Sequence, residues 1–495
     1  MPFTPKILHH FSDKRKLTGS VHRRYRSFAM RRIAAVLVAA STASAAAAGE
    51  VDLPVQDRQA LDVTIYANGL ALIRDSRKAT VAAGVNRLAF PDVSRQLIVD
   101  SAVVAGEGLT VNALDYEGAT LGADALVRRH VGREVGVARI NPATGEETVE
   151  RATILSADPG IVLRYRDRIE TEVPGRLVFD AVPEDLRPAS TLIATVHAED
   201  ASERPVDLGY LTTGLDWRAD YVATLGGAGK SLTLTGRAIV RNASGAAYPD
   251  ARIGLVAGEI GRASPPAAAP RMRAEAMAMQ ADASPGAPEA LGAVYLYSLP
   301  APASLADGQT RQFALLGLAD LAVEPRYVSE SAAQVFGPWN GEPQPTHPRT
   351  TLRFANPKAD AGGVPLPAGI VRIYTRDSGG ASRLLGEDRV ADTPAGGPLA
   401  LQAGAAFDIT VTRRQTDFAR ADLPQGTTDS AWRIELANAR DDAVVVDVVE
   451  AIPGDWTMLS ESAKHEKTAA SRALWRVSVP AGGASVLEYR VRVRQ

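Results

Sequence analysis

The sequence predicts a mainly β protein, built of tandem antiparallel β-sandwich domains with a small barrel-like insert and an Ala/Met/Pro-rich mobile insertion. Three observations predict this class. Apolar and polar residues alternate with a period of two through most of the chain after residue 50, and helical periodicity is scarce. Turn-forming Gly, Pro, Asn and Asp recur at intervals of roughly 8 to 12 residues, as they do in sandwiches and barrels.

The first and last predicted strands show the alternation most clearly. Near the start, Leu61, Val63 and Ile65 alternate with polar residues and precede an Asn-Gly turn signal. At the C-terminus, the stretch VLEYRVRVR places Leu, Tyr and Val on one side of a strand and Glu and Arg on the other. Both ends of the predicted mature chain are therefore expected to be half-buried strands.

The N-terminus predicts export. From Met30, two arginines are followed by the apolar run IAAVLVAA and by small residues suited to cleavage near Ala46–Ala48, which is the pattern of a secretory signal peptide. We therefore expect residues 30–48 to be a signal peptide, residues 1–29 to be a mis-called extension, and the protein to be periplasmic or secreted. A long n-region is the alternative for residues 1–29. The apolar run is shorter than the roughly 20 residues of a membrane span, so we expect no transmembrane span after cleavage.

Charge and cysteine content exclude several classes of function. Residues 1–48 contain nine Lys or Arg and one acid, so the mature chain would carry 46 basic and 56 acidic side chains, a formal net charge of −10. We expect no nucleic-acid partner, because such a partner requires a basic surface. The chain has no Cys, which excludes disulfides, thiolate metal sites and a Cys nucleophile.

Composition shifts along the chain predict its domains. We expect an N-terminal β domain at residues 50–200, in which residues 124–180 form the small barrel-like part. A central β-sandwich region follows at residues 205–428, and a C-terminal β-sandwich portion at residues 429–495. Residues 262–290 are so rich in Ala, Pro and Met that we expect a mobile insertion there rather than a strand.

Residues 215–225, LDWRADYVATL, form the most distinctive stretch. On a strand, the aromatic residues and alternate Ala would pack in the core, whereas Asp216, Arg218 and Asp220 would share the opposite face. The preceding VDLGYLTTG alternates too, which predicts a β-hairpin. The two Asp residues would lie roughly 13 Å apart at about 3.3 Å per residue, farther than the roughly 5 to 9.5 Å of a glycosidase carboxylate pair.

A second candidate stretch is PLPAGIVRIYTRD. Pro365 and Pro367 stiffen the approach to a strand, and Asp377 opens a Gly-containing loop. A rigid strand followed by a loop is typical of binding sites, although prolines also occur simply at strand entries. The predicted ligand-binding residues are Arg218, Asp220, Arg372, Tyr374 and Asp377; no catalytic residue, metal ligand or cofactor is predicted.

Three further patterns have alternative interpretations. GGAGKS at residues 226–231 lacks the first Gly of a phosphate-binding loop, because position 224 is Thr, and we interpret it as a hairpin turn. Three arginines of the last strand could meet anionic lipid or polysaccharide, or could form a solvated face that deters edge pairing. Met272, Met277 and Met279 could bind Cu(I) or could be adaptable filler.

Several stretches occur together in a characteristic order. LGYLTTGLDWRADYVATL, IVRNASGAAYPDARIGLVAGEI, LYSLPAPASLADGQTRQFALL and RIELANARDDAVVVDVVEAIPGDWTML follow one another between about residues 205 and 495. This region resembles the domain-of-unknown-function 4139 family of exported bacterial proteins, some of which are labelled mucoidy-inhibitor-like. The resemblance implies a β-rich fold and export. It brings no established reaction and no catalytic residue.

The leading hypothesis is an exported envelope protein that acts as a non-enzymatic binding scaffold for a protein or a cell-surface polysaccharide. The alternative is a periplasmic hydrolase that uses Asp/Glu chemistry on glycan or peptide, which would require convergent carboxylates from distant parts of the chain. A copper-handling module is a third possibility. The sequence leaves the oligomeric state open.

Overall fold

The computed structural model describes residues 49–118, 121–183, 186–227, 229–261, 288–420 and 426–494. Strands account for 62% of the structure and helices for 4%, so the predicted mainly β class is confirmed. The signal peptide, residues 1–29 and nearly all of the predicted mobile insertion lie outside the described residues.

The described residues from 50 to 213 contain thirteen strands and one short α-helix. In chain order the strands are β1 (Glu50–Asp52), β2 (Arg58–Tyr66), β3 (Leu70–Val81), β4 (Gly84–Pro91), β5 (Val103–Ala105), β6 (Leu109–Glu117), β7 (Glu134–Ile140), β8 (Glu147–Ser156), β9 (Val162–Arg164), β10 (Ile169–Glu170), β11 (Arg176–Val178), β12 (Thr191–Ala198) and β13 (Ser202–Thr213). The helix α1 (Ala123–Arg129) precedes β7, and single 3₁₀ turns lie at Val55–Asp57 and Val99–Ser101.

The described residues from 215 to 494 contain nineteen strands and one 3₁₀ turn, at Ala359–Ala361. The strands are β14 (Leu215–Leu225), β15 (Ser231–Asn242), β16 (Tyr248–Ala257), β17 (Glu289–Leu291), β18 (Val294–Ser298), β19 (Ala303–Leu305), β20 (Thr310–Ala322), β21 (Glu324–Ala332), β22 (Arg349–Ala355), β23 (Gly369–Arg376), β24 (Ser382–Val390), β25 (Pro398–Ala405), β26 (Ile409–Arg420), β27 (Thr427–Asn438), β28 (Val444–Ala451), β29 (Asp455–Glu461), β30 (Glu466–Ala469), β31 (Arg472–Val479) and β32 (Ala484–Arg494). Because β17 begins at Glu289, the end of the predicted insertion is a strand.

Three sheets share the largest core. One is four-stranded, in the order β1-β4-β12-β6, and another is eight-stranded, with β17-β18-β16-β2-β3-β13-β5 in line and β19 on β16. The third, which we call the central sheet, has the order β20-β15-β14-β23-β24. Their buried residues form one continuous cluster from Leu53 to Leu401, to which β22 and β25 also contribute.

The C-terminal strands form a sandwich. A six-stranded sheet, β25-β22-β21-β28-β31-β30, and a four-stranded sheet, β26-β27-β32-β29, enclose a second core. Trp432, Trp475 and Val491 lie in this core. The alternation of apolar and polar residues in β27, β28, β31 and β32 accounts for the sandwich, because alternate side chains of a strand point to opposite faces.

Residues 124–180, predicted to be a small barrel-like part, form a separate five-stranded sheet. Its strands pair antiparallel in the order β10-β9-β8-β7-β11. Helix α1 and this sheet enclose a third small core that includes Val127, Val135, Ile154 and Leu163. This part of the chain is therefore a distinct insert with its own core.

Two sequence-based expectations need refinement. Sheet pairing is largely antiparallel, but β1–β4, β2–β16, β14–β23 and β21–β28 pair parallel. Strand pairs also cross the predicted boundaries, since β13 pairs with β3 and β28 pairs with β21. Residues 50–200, 205–428 and 429–495 therefore share sheets, and the predicted limits stay predictions.

The hairpin predicted for residues 206–225 is wrong. β13 pairs with β3 and β5 in the eight-stranded sheet, whereas β14 pairs with β15 and β23 in the central sheet. The intervening Gly214 has φ +84, and a Cβ there would lie 2.9 Å from the carbonyl oxygen of Ala243. This glycine therefore forms a corner between two sheets instead of a hairpin turn.

A charged pair lies buried in the C-terminal sandwich. The Arg413 Nε donates a 2.7 Å hydrogen bond to the carboxylate of Glu450, and the same guanidinium bonds to the Ser329 hydroxyl. Burial raises the pKa of Glu450 to about 7, although Arg413 opposes the shift. Burial also raises the pKa of the neighbouring Tyr489. Desolvation therefore dominates at this pair.

We predict that stability falls with pH because of Glu450. Between its ordinary value of 4.5 and the folded value of about 7, the folded chain holds a proton that the unfolded chain releases. The contribution is therefore complete below pH 4.5 and is lost as the pH rises through 7, by about 3 kcal/mol. Glu450→Gln should flatten this part of the curve in denaturant unfolding between pH 4.5 and 8. Glu435→Gln, on the exposed side of β27, is the control, and equal slopes for Glu450→Gln and wild type would contradict the assignment.

Candidate functional site

Strand β14 carries the distinctive LDWRADYVATL stretch and lies in the middle of the central sheet. Trp217, Ala219 and Tyr221 are buried on its inner side, and Arg218 and Asp220 lie on the other side. The predicted facing of these residues is confirmed. We call the solvent-facing side of the central sheet the outer face.

Two buried hydroxyl contacts fix the second candidate stretch against the core. The Tyr221 hydroxyl donates a 2.7 Å hydrogen bond to the carbonyl of Pro367, and the Tyr297 hydroxyl donates one of 2.8 Å to the carbonyl of Pro365. Burial raises the pKa of both tyrosines, so the hydroxyls stay protonated donors. The two prolines therefore lie at the entry to β23, and their carbonyl groups anchor this segment to the core.

The pairing of β14 with β23 brings two predicted site residues together. The Arg372 Nη1 lies 2.7 Å from each carboxylate oxygen of Asp220, and Arg372 Nε lies 2.6 Å from Glu387. These hydrogen bonds raise the pKa of Arg372, with that to Asp220 as the main cause. Asp220 and Arg372 are thus a cross-strand ion pair on a partly exposed surface, where such a pair contributes about 0 to 1 kcal/mol.

Asp377 holds the loop that follows β23. Its carboxylate accepts hydrogen bonds from the backbone N–H groups of Gly379 and Ala381, at 3.0 and 2.9 Å, and from Arg383 Nε at 2.9 Å. These bonds keep the pKa of Asp377 below its ordinary value, the bond from Ala381 most strongly. Asp377 therefore acts first as a turn-forming residue that makes the loop rigid.

All five predicted site residues lie on the outer face or in its adjoining loop. Tyr374 is half-buried on this face, opposite Thr224 of β14 in the strand register. The face brings Asp220 and Arg372 into contact. Arg218 lies near the start of β14 and forms no ion pair with another described residue.

Sequence analysis missed three arginines of the same face. Arg237 and Arg241 are exposed on β15, opposite Asp220 and Asp216, and Arg389 is exposed on β24, opposite Ile370. Among the described residues none of the three forms an ion pair; Arg237 bonds only to the amide oxygen of Gln312. The alternation in SLTLTGRAIVRN could have placed Arg237 and Arg241 outward, but it could not indicate that β15 lies beside β14.

Two clefts border the outer face. The loop-end cleft, of about 670 Å³, lies where β14 and β23 end. The second cleft, of about 480 Å³, lies at the opposite end of β14. Side chains of the loop-end cleft include Thr224, Ser231, Thr233, Asp320, Arg376 and Ser378, and those of the second cleft include Trp217, Arg218, Glu259, Ile260, Pro367 and Asp392.

The family assignment covers this whole region. Residues 206–495 match the sequence model of a family described as Domain of unknown function (DUF4139), which is more than half of the chain. The chain belongs to this family. No curated protein matches it. The DUF4139 region contains the complete central sheet, the loop-end cleft and the C-terminal sandwich. The second cleft is also lined by Ala67 and Asn68, which precede the matched range.

The remaining sequence patterns have local structural explanations where they are described. GGAGKS connects β14 to β15, which pair antiparallel, and so it is the predicted hairpin turn. Of the C-terminal arginines, Arg490 pairs with Asp417 and Arg492 with Asp429. Within the described ranges no three His, Asp or Glu residues cluster as a metal site would require. The three Met residues proposed for Cu(I) lie outside those ranges.

Helical segments contribute little to the described part of this DUF4139 protein. None of its described helices has both the length and the hydrophobicity that crossing a bilayer requires.

We predict that Gly369 is essential for the β14–β23 contact. A Cβ at this position would lie 2.5 Å from the Ala219 carbonyl oxygen and 2.9 Å from the Tyr221 ring. Gly369→Ala should therefore lower the stability by about 1 to 3 kcal/mol through overpacking, measured as a shift in the midpoint of denaturant unfolding. The control is Gly317→Ala in β20 of the same sheet, where a Cβ would meet nothing within 4 Å. Equal midpoints for the two variants would argue against a close contact at Gly369.

Proposed function

We propose that this DUF4139 protein is an exported, non-enzymatic binding protein of the bacterial cell envelope. In this proposal, it holds a partner protein or a cell-surface polymer through the outer face of the central sheet. The predicted signal peptide supports export. The exposed arginines of the outer face support binding.

The arginines of the outer face carry the proposal. Arg218, Arg237, Arg241 and Arg389 are exposed, and none forms an ion pair with another described residue. The nearby carboxylate of Asp220 is already bound by Arg372. Guanidinium groups form bidentate bonds with carboxylates and phosphates, so these four groups are available to an anionic partner.

The acids at the site support binding rather than acid–base chemistry. Asp220 accepts two bonds from Arg372, and Asp377 accepts bonds from Gly379, Ala381 and Arg383. The pKa of Asp377 is lowered, which is opposite to the raised pKa of a general acid. The hydrolase alternative would therefore need carboxylates other than those of Asp220 and Asp377.

The rigidity of the outer face also supports a binding role. On the inner side of the sheet, the buried Tyr221 and Trp217 hold the central strands in place. The Trp217 indole N–H donates a 3.1 Å hydrogen bond to the Val256 carbonyl. A preorganised surface loses little conformational entropy when a partner binds. A sheet fixed in this way therefore suits recognition of an extended partner.

We predict that removing two of these arginines lowers partner capture in cells. The double variant Arg218→Ala/Arg237→Ala should weaken binding by about 1.4 kcal/mol, which is roughly a tenfold rise in Kd, and should therefore clearly reduce the amount of the principal cross-linked partner. Cross-linking of intact cells followed by mass spectrometry measures this. Arg353→Ala, which removes an exposed arginine from β22 in another sheet, is the matched control. Undiminished capture by the double variant would reject the outer face as the binding surface.

We also predict that the chain is processed and exported. N-terminal sequencing of the protein from a periplasmic or secreted fraction should show a mature end just after Ala46–Ala48. Changing both Arg31 and Arg32 to Glu should retain the protein in the cytoplasm, because a signal peptide needs a positive n-region. An unprocessed wild-type protein in the cytoplasmic fraction would contradict export without bearing on the binding surface.

A further inference from the structure

We infer that the loop-end cleft binds a saccharide unit that carries a carboxylate, with Arg376 holding the carboxylate and hydroxyl side chains holding the sugar. This inference rests on the proposed function and gives its polymer a chemical class, an acidic polysaccharide. It assigns the contact to a cleft that none of the four arginines of the outer face lines.

The position of the cleft follows from the parallel pairing of β14 and β23. Thr224 lies opposite Tyr374 in the register, and the two strands end at Leu225 and Arg376. Because parallel strands end at the same edge of a sheet, the turn after β14 and the loop after β23 meet there. Side chains from both, and from β15, line one concave surface.

The lining is polar and its hydroxyl groups are available. Thr224 and Thr233 are directly opposite each other on β14 and β15, and Ser231 and Ser378 lie on the same cleft. Within the described chain, none of these four hydroxyls bonds to another side chain or backbone group. Each hydroxyl can donate one hydrogen bond and accept two. The set therefore matches a ligand with several hydroxyls of its own.

Arg376 provides the positive charge. It is exposed at the end of β23 and forms no ion pair with another described residue. The neighbouring Asp377 does not neutralise it, because that carboxylate is occupied by Gly379, Ala381 and Arg383. A guanidinium beside hydroxyl groups can bind a carboxylate and adjacent sugar oxygens together.

Asp320 restricts the ligand further. It is exposed on the cleft, and its carboxylate accepts no hydrogen bond from another described residue. A carboxylate can accept hydrogen bonds from sugar hydroxyls, but it repels a dense polyanion. The cleft thus has one arginine and one aspartate that no other described residue engages, because its second aspartate, Asp377, is held by its own loop and by Arg383. These two groups favour a ligand with both hydroxyl donors and a single negative charge per unit, which describes a uronic acid better than a phosphate or an acidic peptide.

The size and the surroundings of the cleft suit the binding of one end of a polysaccharide chain. Its volume of about 670 Å³ lies within the roughly 300 to 1,000 Å³ of ligand pockets. Past Thr224, the surface continues to Tyr374 and then to Arg372 on the outer face. A polymer seated in the cleft could therefore extend across Tyr374, where a sugar ring can stack on the phenol.

The test uses purified mature protein and three soluble probes of similar length. They are an oligogalacturonate, a neutral malto-oligosaccharide and oligoglutamate, and binding is measured by isothermal titration calorimetry at low and physiological salt. We expect the oligogalacturonate to bind. Arg376→Ala should weaken its binding at least tenfold, and Thr233→Ala should weaken it severalfold. Arg353→Ala should bind as wild type does. Circular dichroism of each variant shows that the fold is retained.

Each result distinguishes this inference from the proposed function. Equal binding of oligoglutamate would show a response to charge alone and would overturn the saccharide assignment. Oligogalacturonate binding that is unaffected by Arg376→Ala but lost in Arg218→Ala/Arg237→Ala would place the ligand on the outer face and overturn the cleft. Failure of every probe, with partner capture intact in cells, would overturn the cleft assignment and leave the proposed function standing.

Discussion

The parallel contact between β14 and β23 is the constraint on which the site depends. It joins segments about 150 residues apart, and it requires that β23 approach Ala219 and the Tyr221 ring closely enough that only Gly fits at position 369. The hydrogen bond from the buried Tyr221 hydroxyl to Pro367 sets the register, because an unpaired buried hydroxyl is costly. The ion pair of Asp220 with Arg372 and the loop-end cleft both follow from this register.

A second buried polar network joins the N-terminal strands to the family region. The Ser94 hydroxyl lies 2.6 Å from that of Thr212 and 3.0 Å from the Ser244 carbonyl, and the Ser244 hydroxyl lies 3.1 Å from that of Tyr248. Because these groups are buried, each hydroxyl needs a hydrogen-bond partner within the protein. The partners lie on segments before and after Gly214. The network therefore links residues on both sides of residues 200–205, as the pairings of β13 with β3 and of β16 with β2 also do.

The sequence could predict facing but not pairing. A period of two specifies which side chains of β14 are buried, because alternation is a property of one strand. Which strand lies next to it depends on packing elsewhere. The sequence around Gly214 is typical of a hairpin turn, but in the structure this glycine lies at a corner between two sheets. Likewise, Arg237 lies beside Asp220 only because β15 pairs with β14. For the same reason, Asp220 and Arg372 could be named as separate candidates, but their contact across 152 positions could not be predicted.

The two sides of the central sheet have different environments, which explains why LDWRADYVATL contains both aromatic and charged residues. Trp217 and Tyr221 fill the core and fix the backbone of β14. The intervening Arg218 and Asp220 face outward and are held by that backbone at a spacing of about 6.6 Å, two residues of strand rise. A substitution on the inner side would thus disturb the outer face through the backbone, whereas a substitution on the outer face would leave the core intact. The residues of the proposed binding surface can therefore vary without loss of the fold.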